Sequence, residues 1–162
     1  MSQTAYSLYS QAYGYEGQLA DLMENDVVTA LAEVAIPFGK MVVRGTDKVN
    51  GGVLPTVATD ITVPANLLGI ALHDQAREQT TGTSQYAIAS AVSCARKARV
   101  VVKVEQAVVA GDVVYVRYAA GGLGQGSFGN TAGTSERGLL ASAVYQSSAA
   151  INGFAVVEMN II

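Results

Sequence analysis

From residue 35 onward the apolar residues fall in short runs broken by Gly, Pro, Asn and Asp, a rhythm that predicts strands and turns rather than helices. The runs are IPFGKMVVRG (36–45), LLGIALH (67–73), YAIASAVSCA (86–95), RVVVKVEQ (99–106), DVVYVRYA (112–119), LLASAVYQ (139–146) and FAVVEMNII (154–162). Alternation is clearest at the end, where Ala155, Val157, Met159 and Ile161 share one face while Phe154, Val156, Glu158 and Asn160 share the other. In the run from Arg99, the residues Val100, Val102 and Val104 oppose Arg99, Lys103 and Glu105, and Ala110-Gly111-Asp112 is expected to turn the chain into the next strand as a hairpin. The pattern predicts an all-β fold, a small β-barrel or β-sandwich built from short antiparallel strands. Two stretches, 119–138 (Gly, Ser and Thr rich) and about 74–85, are expected to be exposed loops. No internal repeat at a solenoid period is found.

The first 34 residues follow no sustained strand or helix period. Tyr6, Tyr9, Tyr13 and Tyr15, half of the eight tyrosines, are interleaved with Ser, Gln, Ala and Gly. Leu19, Leu22 and Met23 have helical spacing over little more than one turn, too short to hold without a packing partner. Tyrosine joins a large apolar ring to a polar tip and is favoured at interfaces. The expected organisation is therefore an extended N-terminal arm (1–34) and a β-rich domain (35–162). Tyr6, Tyr9, Tyr13, Tyr15, Leu19, Leu22 and Met23 are the candidate interface residues, on a neighbouring subunit or draped over the chain's own core.

Composition sharpens this picture. Apolar residues make up 50% of the 162 and charged ones only 14%, against about 25% charged in an ordinary soluble protein. So little charge leaves apolar surface facing water and predicts a homo-oligomer or assembly subunit. No stretch approaches the roughly 20 consecutive apolar residues of a membrane span. MSQTAYSLYS lacks a secretory pattern, and the lone Cys94 excludes an internal disulfide, so folding in a cytoplasm is expected. The net charge of −3 is uneven: the first 34 residues carry five acidic and no basic groups, and the remainder carries ten basic and eight acidic ones. The two parts are expected to attract each other.

Candidate chemistry is sparse. Gly124, Gly126 and Gly129 spell GxGxxG after a predicted strand, yet NTAGTSERG follows instead of the helix whose N-terminus would hold a pyrophosphate. His73 is the only histidine, so triad or multi-histidine metal chemistry would rest on it alone, with Asp74 as its neighbour. Cys94, flanked by small and apolar residues, reads as a buried hydrophobe. Arg96, Lys97, Arg99 and Lys103 concentrate basic charge in eight positions, but without interleaved aromatics and with the acidic arm as a competing partner. No catalytic residue, cofactor, metal or nucleic-acid partner is expected.

The arm leading into AIPFGKMVVRG, then LLGIALHDQ, ARVVVKVEQAVVAGDVVYVRY, a Gly-rich loop and the close SSAAINGFAVVEMNII resemble, in order and spacing, the structural cement (head decoration) proteins of tailed-bacteriophage capsids. Tyr145 stands where that family often carries a larger aromatic. The resemblance implies a non-enzymatic β-rich subunit on the capsid exterior of the virion. It would bind the expanded icosahedral head as an oligomer, a trimer before a dimer, and brace neighbouring major capsid proteins. Other readings are another virion structural protein of the tail or head-completion type, a small-ligand or carbohydrate-binding β-domain, or an enzyme using His73.

Overall fold

The computed structural model describes residues 14–21, 25–76 and 84–161. Eleven strands are found among them: β1 Asp26–Ala32, β2 Ile36–Pro37, β3 Met41–Arg44, β4 Gly51–Val53, β5 Leu67–Ala71, β6 Gln85–Tyr86, β7 Ala91–Lys103, β8 Val113–Arg117, β9 Phe128–Gly129, β10 Arg137–Tyr145 and β11 Phe154–Asn160. One short helix, α1 Ala58–Thr62, sits between β4 and β5. Asp60 accepts hydrogen bonds from the Thr56 and Val57 amides at its start, and Ile61 points into the core. The fold is all-β, as expected, built around a mixed sheet of nine strands in the order β1-β4-β3-β5-β7-β11-β10-β8-β9, with β2 and β6 paired separately.

The 13-residue β7 organises the sheet. Ala95 pairs with both Val27 of β1 and Ile70 of β5, so both edges of its first half are occupied. Val100 pairs with Val157 of β11 and bridges to Leu19, so both edges of its second half are occupied too. The β1–β7 pairing closes a ring through β4, β3 and β5. A parallel bridge from Val104 to Phe128 of β9 closes a second ring through β11, β10 and β8. The two rings share β7.

Each ring has its own core. Ala30, Ala32, Ile36, Phe38, Val42, Leu68, Tyr86, Val92 and Cys94 form the smaller cluster. The larger contains Val100, Val102, Val104, Val114, Val116, Phe128, Leu140, Tyr145, Ala155, Val157 and Met159. One strand can feed both because its alternation is broken. Asp26 pairs with Lys97 but Val27 pairs with Ala95, which leaves Arg96 as the extra residue of a β-bulge. Val92 and Cys94 face one core before the bulge; Ala98, Val100 and Val102 face the other after it.

Several sequence expectations change here. The runs 86–95 and 99–106 are not two strands: the basic Arg96-Lys97 step is a bulge inside β7 rather than a break. The hairpin expected between 99–106 and 112–119 does not form. Its turn is present, with Asp112 N–H donating to Val109 O at 3.0 Å and the Asp112 carboxylate accepting from Val109 N–H at 2.9 Å. Because β7 already has both edges filled, β8 pairs instead with β10 and β9. The run 36–45 divides into β2 and β3. The stretch 119–138 is not simply an exposed loop, since Gly126–Gly129 are buried and include β9. Finally, β1 lies inside the segment read as arm, so the sheet begins before residue 35.

A buried ion cluster ties this second ring together. The Glu105 carboxylate accepts from Arg117 Nε at 2.8 Å and from Arg137 Nη2 at 2.6 Å, and Arg117 Nη2 also donates to Glu136 at 3.1 Å. The Glu105, Arg117 and Arg137 side chains are only 4%, 6% and 7% exposed. The Leu123 N–H adds a further bond to Glu105, drawing the Gly-rich stretch onto the cluster. Burial alone would raise the pKa of Glu105. The hydrogen bonds from Arg117, Leu123 and Arg137 outweigh it and hold the carboxyl below its ordinary range.

Replacing one member of such a cluster leaves buried charge uncompensated. Glu105→Gln is expected to lower the unfolding free energy by about 3–5 kcal/mol in urea titrations. Because the folded pKa lies below the unfolded value of about 4.3, this stabilisation is full above that pH and is lost as the pH falls through the folded value. Wild-type protein should therefore lose more stability on acidification than Glu105→Gln. Equal acid sensitivity in the two would remove Glu105 as a cause.

Candidate interface

The root of the N-terminal segment is fastened to β7 by a short antiparallel ladder. Gly17 N–H donates to Val101 O, Val101 N–H to Gln18 O and Ala20 N–H to Arg99 O, each at 2.8 Å. His73 N–H donates to Gly17 O at 3.0 Å, so the same turn also touches the end of β5. Gly17 has φ +79°, and a Cβ built there would stand 2.6 Å from His73 N and 2.8 Å from Ala71 O. Only glycine fits this backbone conformation and this close approach.

Charge reinforces the ladder, as the uneven sequence distribution predicts. Asp21 pairs with Arg99 at 3.1 Å, and Arg99 also holds Glu158 of β11 at 2.7 Å. Glu16 lies 3.8 Å from the Lys40 ammonium, which is buried and donates to Ser127 Oγ at 2.8 Å and to Leu123 O at 3.2 Å. Burial pulls the Lys40 pKa down, while the carboxylates of Glu16 and Glu105 oppose that shift. Lys40 thus joins the N-terminal root to the Gly-rich stretch. The sequence offered no sign of this, because a lysine between Gly and Met reads as an exposed strand residue.

Beyond the root, Tyr15 is 46% exposed, and its ring centroid stands 4.2 Å from that of His73. His73 also meets Phe38 at 4.8 Å, and Phe38 packs edge-on against Tyr86 at 5.1 Å. The Tyr86 hydroxyl donates to Leu72 O at 2.8 Å, fixing the base of the stack. An open cavity of about 470 Å³ lies here, lined by Gly14, Tyr15, Phe38, His73, Ser84 and Phe154 among others.

Of the sequence-predicted interface residues, Tyr15 faces solvent at this cavity, whereas Leu19 bridges to Val100 and packs on the larger core. Leu19 is therefore seated on its own chain, the draped arrangement. Tyr6, Tyr9, Tyr13, Leu22 and Met23 lie outside the described residues. Sequence reasoning missed a second apolar surface on β1. Leu31 is exposed, and so are Val49 (77%) and Ile88 (66%), the chain neighbours of Asn50 and Ala89, which bond to the backbone of Leu31 and Ala32. Isolated apolar residues in three separate turns and strands carry no joint signal until the chain folds.

The remaining candidates have structural surroundings. Cys94 is fully buried, and burial raises its thiol pKa to about 12, which suppresses the reactive thiolate. Gly126 accepts from Met41 N–H at 2.9 Å with φ +79°, so the GxGxxG glycines serve a chain turning back on β3. Arg99, at the centre of the basic run, is engaged by two carboxylates.

A family model described as "Structural cement protein (E217 gp24/Pam3 gp6)" matches residues 1–160. A chain in the solved capsid of Myoviridae phage XM1 superposes with a TM-score of 0.74 at 17% identity, covering 100% of this chain and 99% of that one, a likeness of fold. No curated protein matches the sequence at a significant level.

The seat of the N-terminal root is open to direct test. Gly17→Ala should destabilise the protein by about 2–4 kcal/mol, combining left-handed backbone strain with an overpacked contact. A thermal midpoint equal to that of the wild type would show that residues 17–20 are not seated against the end of β5.

Proposed function

The chain belongs to the structural cement protein family, and from that membership we propose that it binds the outer surface of an expanded icosahedral head and braces neighbouring major capsid subunits without covalent linkage. Membership makes it a structural component of a phage capsid. The observation that carries the finer reading is the span of the family match, residues 1–160, which includes the tyrosine-bearing N-terminal segment as well as both rings.

Physical features support the reading. The low charge of 14% and the exposed apolar side chains around Leu31 and Tyr15 suit a protein whose working state is assembled. A subunit that binds the expanded lattice and not its precursor stabilises the expanded form by mass action. Self-association, a trimer before a dimer, would multiply weak contacts through avidity. The N-terminal arm contributes attachment through its tyrosines, with its acidic groups steering. Since residues 17–20 and β1 are built into the sheet, the attachment role falls to the residues before them.

Purified protein mixed with expanded, undecorated heads of its phage should add ordered density to their outer surface and raise their disruption temperature. Removing residues 1–13, which spares β1 and the root ladder, should leave circular dichroism unchanged and weaken attachment about tenfold or more, as expected for lost aromatic anchors. Density inside the head, or equal binding to unexpanded heads, would overturn the bracing mechanism. Undiminished attachment of the shortened protein would remove the arm from it.

A further inference from the structure

The first half of β1 has an unfinished edge. Backbone groups alternate in direction along the strand. Leu31 N–H donates to Asn50 O at 2.7 Å and Glu33 N–H to Gly52 O at 3.0 Å, both on the β4 side, whereas Ala32 N–H donates to Ser90 O at 2.9 Å on the β7 side. The register with β7 is regular over 27–31, so the N–H and C=O groups of Val27 and Thr29 share the direction of those of Leu31 and point away from β7. β4 does not reach them, because its pairing with β1 is confined to Leu31 and Ala32. Among the described residues, Val27 and Thr29 have no backbone partner on that side. Their side chains and that of Leu31 stand on the exposed face of the strand. An edge strand with apolar side chains and neither lysine nor proline is a template for another strand.

The strand that fits there is set by length, register and charge. An added strand has residues 26–30 to pair with and must stop at Ala30, since Asn50 already occupies the edge at Leu31. A second β1 meets this limit. Set antiparallel, with Val27 of each copy hydrogen-bonded to Thr29 of the other, it places each Asp26 opposite the other copy's Ala30, and β1 begins at Asp26. No like charges then face each other. Asp26 and Lys48 are both exposed, and among the described residues neither is in an ion pair. This register brings each Asp26 to the end of the edge where the other copy's turn at 48–50 begins. The carboxylates of that turn are already engaged: Glu33 accepts from the Thr46 and Asp47 amides, and Asp47 from the Val49 and Asn50 amides. Lys48 is left to answer Asp26.

We propose that β1 is an intersubunit strand, pairing antiparallel with β1 of a second copy of this chain through the free edge at Val27 and Thr29. The proposal rests on reading the protein as an assembly subunit, and it names the surface that self-association uses. A two-fold pairing closes at two copies, so it favours the dimer over the trimer. Such a short pairing is small against the roughly 800 Å² per partner of a standard interface. It is therefore weak between free copies and strengthened where copies are held side by side on a head.

Thr29→Pro tests the edge in the full chain. It removes an N–H that β7 does not use, and proline is tolerated on edge strands. Val27→Lys combined with Thr29→Lys, which sets like charges opposite one another, serves if the proline variant does not fold. Sedimentation should show wild-type protein exchanging between monomer and dimer, and either variant should weaken that association at least about tenfold with circular dichroism unchanged. Asp26→Lys should weaken it as well, and adding Lys48→Asp should restore it. Register is read on a Cys94→Ala background: Val27→Cys mixed with Thr29→Cys should form an interchain disulfide on gentle oxidation, well above the yield of either protein alone. Undiminished association of the edge variants, no dimer at the highest soluble concentration, or equal cross-linking with and without mixing overturns the proposal. Head binding separates the two failures. Wild-type protein that does not add to heads defeats the cement reading, whereas attachment with no β1 cross-link in solution or on heads defeats only the edge pairing.

Discussion

Everything in this fold depends on β7 having no unused side. Both of its edges are hydrogen-bonded along most of its length, and both of its faces meet packed side chains because the bulge at Arg96 reverses which residues face which core. A strand so fully committed cannot slip in register without breaking two ladders and inverting two cores. The two rings are therefore one cooperative body, and the N-terminal root, paired with the second half of β7, shares its rigidity.

Charge is used with similar economy. With only 14% charged residues, several charged groups are used internally, Glu105 with Arg117 and Arg137 and Lys40 with Ser127 and Leu123, while the part-exposed Arg99 holds Asp21 and Glu158 at the surface. Each connects segments distant in sequence. Among the described residues, apolar side chains such as Val49, Ile88 and Tyr15 are left facing outward. That division, with charge fastening the inside and apolar groups on the outside, suits a subunit that works in contact with other proteins.

The fold class was legible because one-sided strands announce themselves: Ala155, Val157 and Met159 are buried as their alternation predicts, and so are Val100, Val102 and Val104. Where burial is two-sided the signal fades. Val101 and Val156 are buried on the face expected to be polar, and β1, with Val27, Thr29 and Leu31 outside and Ala30 and Ala32 inside, shows little contrast between its faces. Long-range pairing was not legible either. Nothing in RVVVKVEQ indicates that its neighbours are β11 and residues 17–20 rather than the next strand, and Glu105 looks like a solvated strand end until Arg137 arrives from 32 positions away. At the candidate interface the attraction between the acidic first 34 residues and the basic remainder was legible and is visible in the Glu16–Lys40 and Asp21–Arg99 pairs, while Tyr15, singled out by the sequence, is exposed. The cavity beside Tyr15 draws its walls from five separate segments and could not be read from any one of them.

The root ladder also has a mechanical meaning. Residues 17–20 run antiparallel to 99–101, so a pull on the chain at Gly14 along its own direction loads those hydrogen bonds in shear, all at once, instead of peeling them apart singly. The load passes directly into β7 and from there spreads into both rings through β1, β5 and β11. A load applied there is carried in shear by the most heavily paired strand of the domain, so the chain would yield elsewhere before it yields at this root.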